Sequence, residues 1–187
     1  MDDLDIRLLV DLLRDRITPD KALGQHFLID ESVVERSIEL ANSPRLLANS
    51  KVIEIGPGAG SLTLGLLRTG STVSAYEVDE EAISHLARVF KGADGRLDII
   101  NQDALQADWP EDATHVVANI PYQISSPLLE KIQKHHSQHT LTSVVLLVQD
   151  EFAERMMNNR NDTASGPLSL SLWLDFDVEL DAKVPPH

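Results

Sequence analysis

From Lys51 onward, short apolar runs alternate with longer amphipathic stretches, and this alternation restricts the fold more than any other feature of the chain. Residues 52–55, 72–76, 97–100, 115–118 and 143–148 have the length and β-branched content of buried strands. Helical periodicity fills the intervals near residues 60–69, 79–91, 126–136 and 150–158. Parallel strands need such crossovers, and a strand covered on both faces need not alternate polar with apolar residues. The pattern predicts an α/β protein with a Rossmann-like, mostly parallel central sheet and helices on both faces. Residues 168–180 alternate more strictly, and are read as a last strand paired antiparallel.

Ahead of this region, Leu4, Leu8 and Leu12 with Leu9 and Leu13 predict an amphipathic helix near residues 4–16, an N-terminal extension ending before Thr18-Pro19. A second helix begins at Asp30 or Ser32, the latter with Glu35 as a capping box, and turns Val33, Val34, Ile38 and Leu40 inward.

Composition narrows the function classes. Thirty acidic against sixteen basic residues give a formal net charge of −14, which argues against holding nucleic acid by charge alone. A basic partner region or a saline cytoplasm, where surface charge is screened, would reconcile that charge with an RNA substrate. No cysteine is present, and His135, His136 and His139 have no second ligand cluster, so no metal is assigned. The start is acidic where a secretory signal is basic, and there is no apolar run of membrane-spanning length, so a cytoplasmic protein is expected.

The first strand runs into Gly56-Pro57-Gly58-Ala59-Gly60 and then a helix. Glycines there let backbone approach a ligand without Cβ clashes. The dinucleotide fingerprint needs a glycine at position 61, which is Ser61, so Gly56 and Gly58 suit adenosylmethionine better than NAD. Glu77 ends the second strand 21 residues after Gly56, where an acid can accept the ribose hydroxyls of a bound adenosine. Asp103, after the third strand, can receive the exocyclic amine of the cofactor's adenine.

Asn119-Ile120-Pro121-Tyr122 follows the fourth strand. An enzyme that methylates adenine N6 must unstack the base and hold its planar amine in line with a sulfonium methyl. The Asn119 side-chain oxygen and the Ile120 carbonyl can accept the two amine hydrogens, Tyr122 can stack on the base, and Pro121 makes the turn rigid.

With Leu23-Gly24-Gln25-His26-Phe27-Leu28, the glycine loop, Asn119-Ile120-Pro121-Tyr122, Gln149-Asp150-Glu151-Phe152-Ala153-Glu154-Arg155-Met156 and Lys183-Val184-Pro185-Pro186-His187, the chain resembles the KsgA-type small-subunit rRNA adenine N6,N6-dimethyltransferases. More distantly it is similar to the erythromycin-resistance methyltransferases. The resemblance implies a class I methyltransferase fold over residues 21–187, preceded by the helical extension at 1–20. It implies that His26, Leu28, Gly56, Glu77, Asp103 and Asn119 line an S-adenosylmethionine site, with Asn119 and Tyr122 also meeting the target base. The expected reaction is successive methyl transfer to N6 of two adjacent adenines in a small-subunit rRNA hairpin during ribosome biogenesis, with rRNA or the immature small subunit as partner. Gln123 stands where the family often has Asn. Family members continue past Val184-Pro185-Pro186 with a second stacking aromatic, a further strand and a small helical domain, so an incomplete sheet edge near residues 168–180, able to self-associate, is expected. The alternatives are a non-catalytic RNA-binding assembly relative and an NAD-dependent oxidoreductase.

Overall fold

The protein is seen as a computed structural model that describes residues 4–15, 28, 30–42, 49–93, 95–120, 122–157, 172 and 174–184. In chain order these give α1 (Ile6–Arg14), α2 (Glu31–Asn42), β1 (Lys51–Ile55), α3 (Ser61–Arg68), β2 (Thr72–Glu77), α4 (Glu80–Val89), β3 (Leu97–Asn101) and β4 (His115–Asn119). A single 3₁₀ turn (Tyr122–Ile124), α5 (Ser125–Gln138), β5 (Ser143–Leu147) and α6 (Asp150–Met157) follow.

The strands form one sheet in the order β3-β2-β1-β4-β5, and every pairing is parallel. Side chains of successive strand residues point to opposite faces, so β1 feeds two cores. Val52 joins Leu64, Leu66, Leu67, Val73, Ala75 and Val117 beneath α1 to α4, while Ile53 and Ile55 join Val116, Ala118, Leu128, Ile132 and Phe152 on the face of α5 and α6. Both faces are therefore covered, as a parallel sheet requires.

Register places the functional end of the sheet. Ile55 lies beside Tyr76 on one side and Ala118 on the other, so the next residues, Gly56, Glu77 and Asn119, end three adjacent strands at one level. Strands lie about 4.8 Å apart, so these three positions span roughly 10 Å. Chain order reverses between β1 and β4, and in open α/β sheets ligands bind at the carboxyl ends of the strands at such a switch point.

The predicted N-terminal helix forms, with Asp5 as its cap accepting from the Leu8 amide at 2.7 Å. Its buried face is Ile6, Leu9, Val10 and Leu13, whereas Leu8 is 40% exposed. The 3.6-residue period centres the stripe between positions 9 and 13, not on the leucines at 4, 8 and 12. This face packs on α3 and α4. Asp30 caps α2, its carboxylate accepting from the Ser32 amide at 2.9 Å and the Ser32 hydroxyl at 2.6 Å, so Ser32 lies inside the helix and is not its cap. Val34 is buried as expected, and Val33, Ile38 and Leu40 are partly so.

The expected strand at 168–180 is corrected. Residues 168–171 and 173 lie outside the described residues, but Leu172, Leu174 and Asp175 are helical and residues 176–180 pair with no strand. The Phe176 amide donates to the Leu172 carbonyl at 2.8 Å, Leu172 enters the core beneath α5 and α6, and Phe176 stacks on His136 with ring centres 4.7 Å apart. One helical turn satisfies both apolar side chains, so alternation alone misled. Among the described residues the sheet edges are β3 and β5. No helix among the described residues is long and apolar enough to cross a membrane.

Candidate functional site

β1 leads into the glycine loop because its last ladder bond, Gly56 amide to Tyr76 carbonyl at 2.9 Å, holds the chain in register until the turn begins. The turn closes with the Gly60 amide donating to Pro57 at 2.8 Å, and α3 starts at Ser61 with no side-chain cap on its first amides. Gly56 has φ +64°, a left-handed conformation that side chains rarely adopt, and a Cβ there would meet no protein atom within 4 Å. The space beside it is open to a ligand.

That space is a concavity of about 30 Å³, walled by Leu28, Glu54, Gly56, Gly58, Ser61 and Asn119. A space of this volume holds roughly one water-sized group. Leu28 is brought here by its carbonyl, which accepts from the Ser61 hydroxyl at 2.6 Å. Of the sequence-predicted residues, Leu28, Gly56, Gly58 and Asn119 thus line one concavity.

Glu77 lies next to it, 8% exposed. One carboxylate oxygen accepts from the amides of Val78 at 2.8 Å and Asp79 at 3.0 Å, and the other from Gly58 at 3.2 Å. Beyond any ligand role, Glu77 ties the glycine loop to the start of α4, which the sequence did not reveal. Asp103 is exposed at the end of β3, its side chain accepting from the Leu105 amide at 2.9 Å in an Asx turn. The loop carrying it is fastened from below: the Trp109 ring nitrogen donates to Ala104 at 3.1 Å, and Lys131 on α5 donates to the carbonyls of Leu105 at 3.0 Å and Ala107.

Asn119 ends β4 beside Leu147, and the Ile120 amide donates to the Leu147 carbonyl at 2.9 Å, which fixes the direction in which the chain leaves the sheet. His26 and Pro121 lie outside the described residues, and Tyr122 is described only as the first residue of the 3₁₀ turn before α5. Among the described residues no group of three His, Asp or Glu side chains could hold a metal.

Sequence reasoning missed Glu54. It stands in the middle of a central strand, 1% exposed, where its Oε2 accepts from the Thr63 hydroxyl at 2.7 Å and its Oε1 has no partner. Its pKa is raised to about 8, chiefly by burial and slightly by the nearby Glu77 charge, against the Thr63 hydrogen bonds, which lower it. The signal was present: a carboxylate inside an otherwise apolar parallel strand is rarely idle.

The family model of ribosomal RNA adenine dimethylase matches residues 18–187. Ribosomal RNA small subunit methyltransferase A of Gloeobacter violaceus is 40% identical over 169 residues, covering 89% of this chain and 60% of that protein. A relative from Thermococcus gammatolerans is 36% identical over 178 residues, 95% of this chain and 60% of its own. The chain therefore spans about 60% of the length of these relatives. Among solved structures, a dimethyladenosine transferase from Plasmodium falciparum superposes with a TM-score of 0.66 at 32% identity, covering 80% of this chain and 52% of the other. The 23S rRNA methyltransferase ErmE follows at 0.63 and 27%, covering 79% and 57%. With the parallel sheet, the glycine loop at its switch point and Asn119 at the end of β4 all in place, these matches lead to one conclusion: the chain belongs to the ribosomal RNA adenine dimethylase family, on the class I methyltransferase fold.

Proposed function

We propose that this chain binds S-adenosylmethionine at the glycine loop and transfers its methyl groups to N6 of adenines in small-subunit rRNA, on immature subunits in the cytoplasm. The observation that carries this reading is the register that ends β1, β2 and β4 together at Gly56, Glu77 and Asn119. The residues fit the cofactor: Gly56 leaves open space where a Cβ would intrude, and one oxygen of the buried Glu54 carboxylate in the wall lacks a donor. Adenosylmethionine supplies an electrophilic methyl group on a sulfonium. In this reading Leu28, with His26, contacts the cofactor, Glu77 accepts from its ribose, and Asp103 receives its adenine amine. The Asn119 side chain and the Ile120 carbonyl accept the hydrogens of the target amine, which favours its nucleophilic form. Pro121 holds the turn and Tyr122 stacks on the base. With a formal charge of −14, capture of RNA rests on that base pocket more than on phosphate attraction.

Calorimetry with adenosylmethionine and with NAD, followed by label transfer to unmethylated small subunits, tests the reading. Binding of the first ligand alone, with N6,N6-dimethyladenosine in the digested rRNA, is the expected result, and preference for NAD would sink it.

Two variants probe the cofactor side. In Gly56→Ala the new methyl meets no protein atom, so stability falls by only about 1 kcal/mol, the cost of an alanine in the left-handed region. The same methyl occupies the ligand's approach, so affinity for adenosylmethionine falls at least roughly tenfold. Equal binding by variant and parent would show that the ligand passes elsewhere.

Glu77 accepts three amide bonds where an ionised carboxylate has about four acceptor sites. Taking both ribose hydroxyls therefore means giving up the longest, to Gly58. Glu77→Ala removes charge-assisted bonds worth about 1.5–3 kcal/mol to the cofactor and also frees the loop, while RNA affinity stays near its original value. Separate titrations of cofactor and RNA decide it, and equal losses would count against the ribose role.

A further inference from the structure

Glu54 is the one carboxylate in the concavity wall, and no cation among the described residues faces it. Its oxygens are buried, Thr63 satisfies Oε2, and Oε1 is sealed from solvent without a donor. It lines the same small space as Gly56 and Asn119. An ionised carboxylate held this way has one neutral donor and no cation, and the low dielectric favours its neutral form.

The groups around it do not change that balance toward a charge. On β1 its face is shared with Val52. α3 presents Thr63, a neutral donor. α2 buries Val34, Ser37 and Ala41 toward the sheet and keeps its ionisable residues exposed. β4 offers His115 two positions before Val117, the residue paired with Glu54, and burial lowers that histidine's pKa, which keeps it neutral. β2 ends in Glu77, whose like charge opposes a second anion nearby. No described residue supplies a cation here.

Resting on the cofactor reading above, we propose that Glu54 carries a proton in the empty protein and releases it to solvent as the ligand's ammonium group enters, so that cofactor binding is coupled to proton loss. The orphan oxygen needs an N–H donor, which the ammonium of the ligand's amino-acid end has and the sulfonium lacks. The carboxylic O–H bond breaks, the carboxylate pairs with the ammonium, and the proton passes to buffer, leaving charge balanced. The sign follows from a raised carboxyl pKa of about 8 in the empty site. Below that pH the proton must be displaced, so affinity improves as pH rises towards it, by up to about tenfold per unit.

The test is titration calorimetry at pH 7 in two buffers of different ionisation enthalpy, on the whole chain. Adenosylmethionine and adenosylhomocysteine are each expected to release more than about half a proton, and 5′-methylthioadenosine, which lacks the ammonium, none. Adenosylmethionine should also bind roughly tenfold more weakly at pH 6 than at pH 7. Glu54→Gln keeps the shape and a carbonyl oxygen for Thr63 but cannot ionise. It should bind with no proton release and with a flat pH profile between those values. Binding by the parent protein with no proton release, or the same release from Glu54→Gln, would overturn the coupling while leaving the cofactor reading intact. Failure of both nucleosides bearing the amino-acid end to bind would instead overturn that reading, and the coupling with it.

Discussion

Asn119→Ala is expected to abolish measurable methylation of small-subunit rRNA while leaving adenosylmethionine bound within about tenfold of the parent, a change of about 1.4 kcal/mol. The amine of adenine is a poor nucleophile because its lone pair is delocalised into the ring. A side-chain oxygen that accepts one of its hydrogens acts chiefly as that lone pair localises, so its loss falls on turnover. Removing one preorganised group of this kind costs roughly 10²–10³ in rate. The cofactor side survives because the glycine loop, Leu28 and Glu77 are held by contacts that do not pass through Asn119: Ser61 to Leu28, Gly58 to Glu77, and Gly56 to Tyr76. Single-turnover label transfer and cofactor titration on the same preparation give both numbers. Near-parental turnover would remove Asn119 from the chemistry, and a loss of cofactor affinity as large as the loss of rate would make it a cofactor ligand only.

Gly60→Ala should be the most destabilising single-methyl change in the loop. Gly60 has φ +89°, and an added Cβ would lie 2.6 Å from the Cε2 of Phe90 and 2.9 Å from a methyl of Leu86. Neither neighbour is the loose end of a surface side chain, since Phe90 is 4% and Leu86 0% exposed. The left-handed backbone costs about 1–2 kcal/mol and overpacking typically about 1–3 kcal/mol, so a total of roughly 2–5 kcal/mol is expected. In a chain of this size each kcal/mol lowers Tm by about 2–4 °C, so Gly60→Ala should melt roughly 4–20 °C lower. Gly56→Ala, with open space around it, should melt within a few degrees of the parent. Two glycines four residues apart thus differ in surroundings: a Cβ at Gly56 would meet open space, and one at Gly60 would meet Phe90 and Leu86 of the α4 region. Similar melting of the two variants would show that Phe90 and Leu86 yield more readily than their burial implies.

α1 lies ahead of the matched family region, which begins at residue 18, yet it belongs to this loop physically. Val10 and Leu13 pack with Ala59, the residue between Gly58 and Gly60. The His85 ring also meets the Ala59 carbonyl at 3.2 Å from the α4 side. A helix read as an extension thereby becomes part of the floor under the candidate cofactor site.

What the sequence determined by itself was local and periodic. Residues 52–55 or 115–118 could only be buried strands, because a short β-branched run between turn signals has few other ways to bury itself. Gly56-Pro57-Gly58-Ala59-Gly60 and Asn119-Ile120-Pro121-Tyr122 were legible because their chemistry is carried by neighbouring residues in one turn. The tertiary structure decided what depends on partners far away along the chain. Register set Gly56, Glu77 and Asn119 at one level, though 63 positions separate the first from the last. Packing put Leu172, Leu174 and Asp175 in a helical turn where a strand was expected, because burying Leu172 beneath α5 and stacking Phe176 on His136 satisfied the same apolar residues without a ladder. Only the fold could show that Glu77 holds Gly58, that Lys131 fastens the Asp103 loop, or that Glu54 sits with one oxygen unpartnered. Periodicity reports which face of an element is buried, whereas a hydrogen bond or a missing one depends on which atom the fold brings opposite, and that is settled by long-range contacts alone.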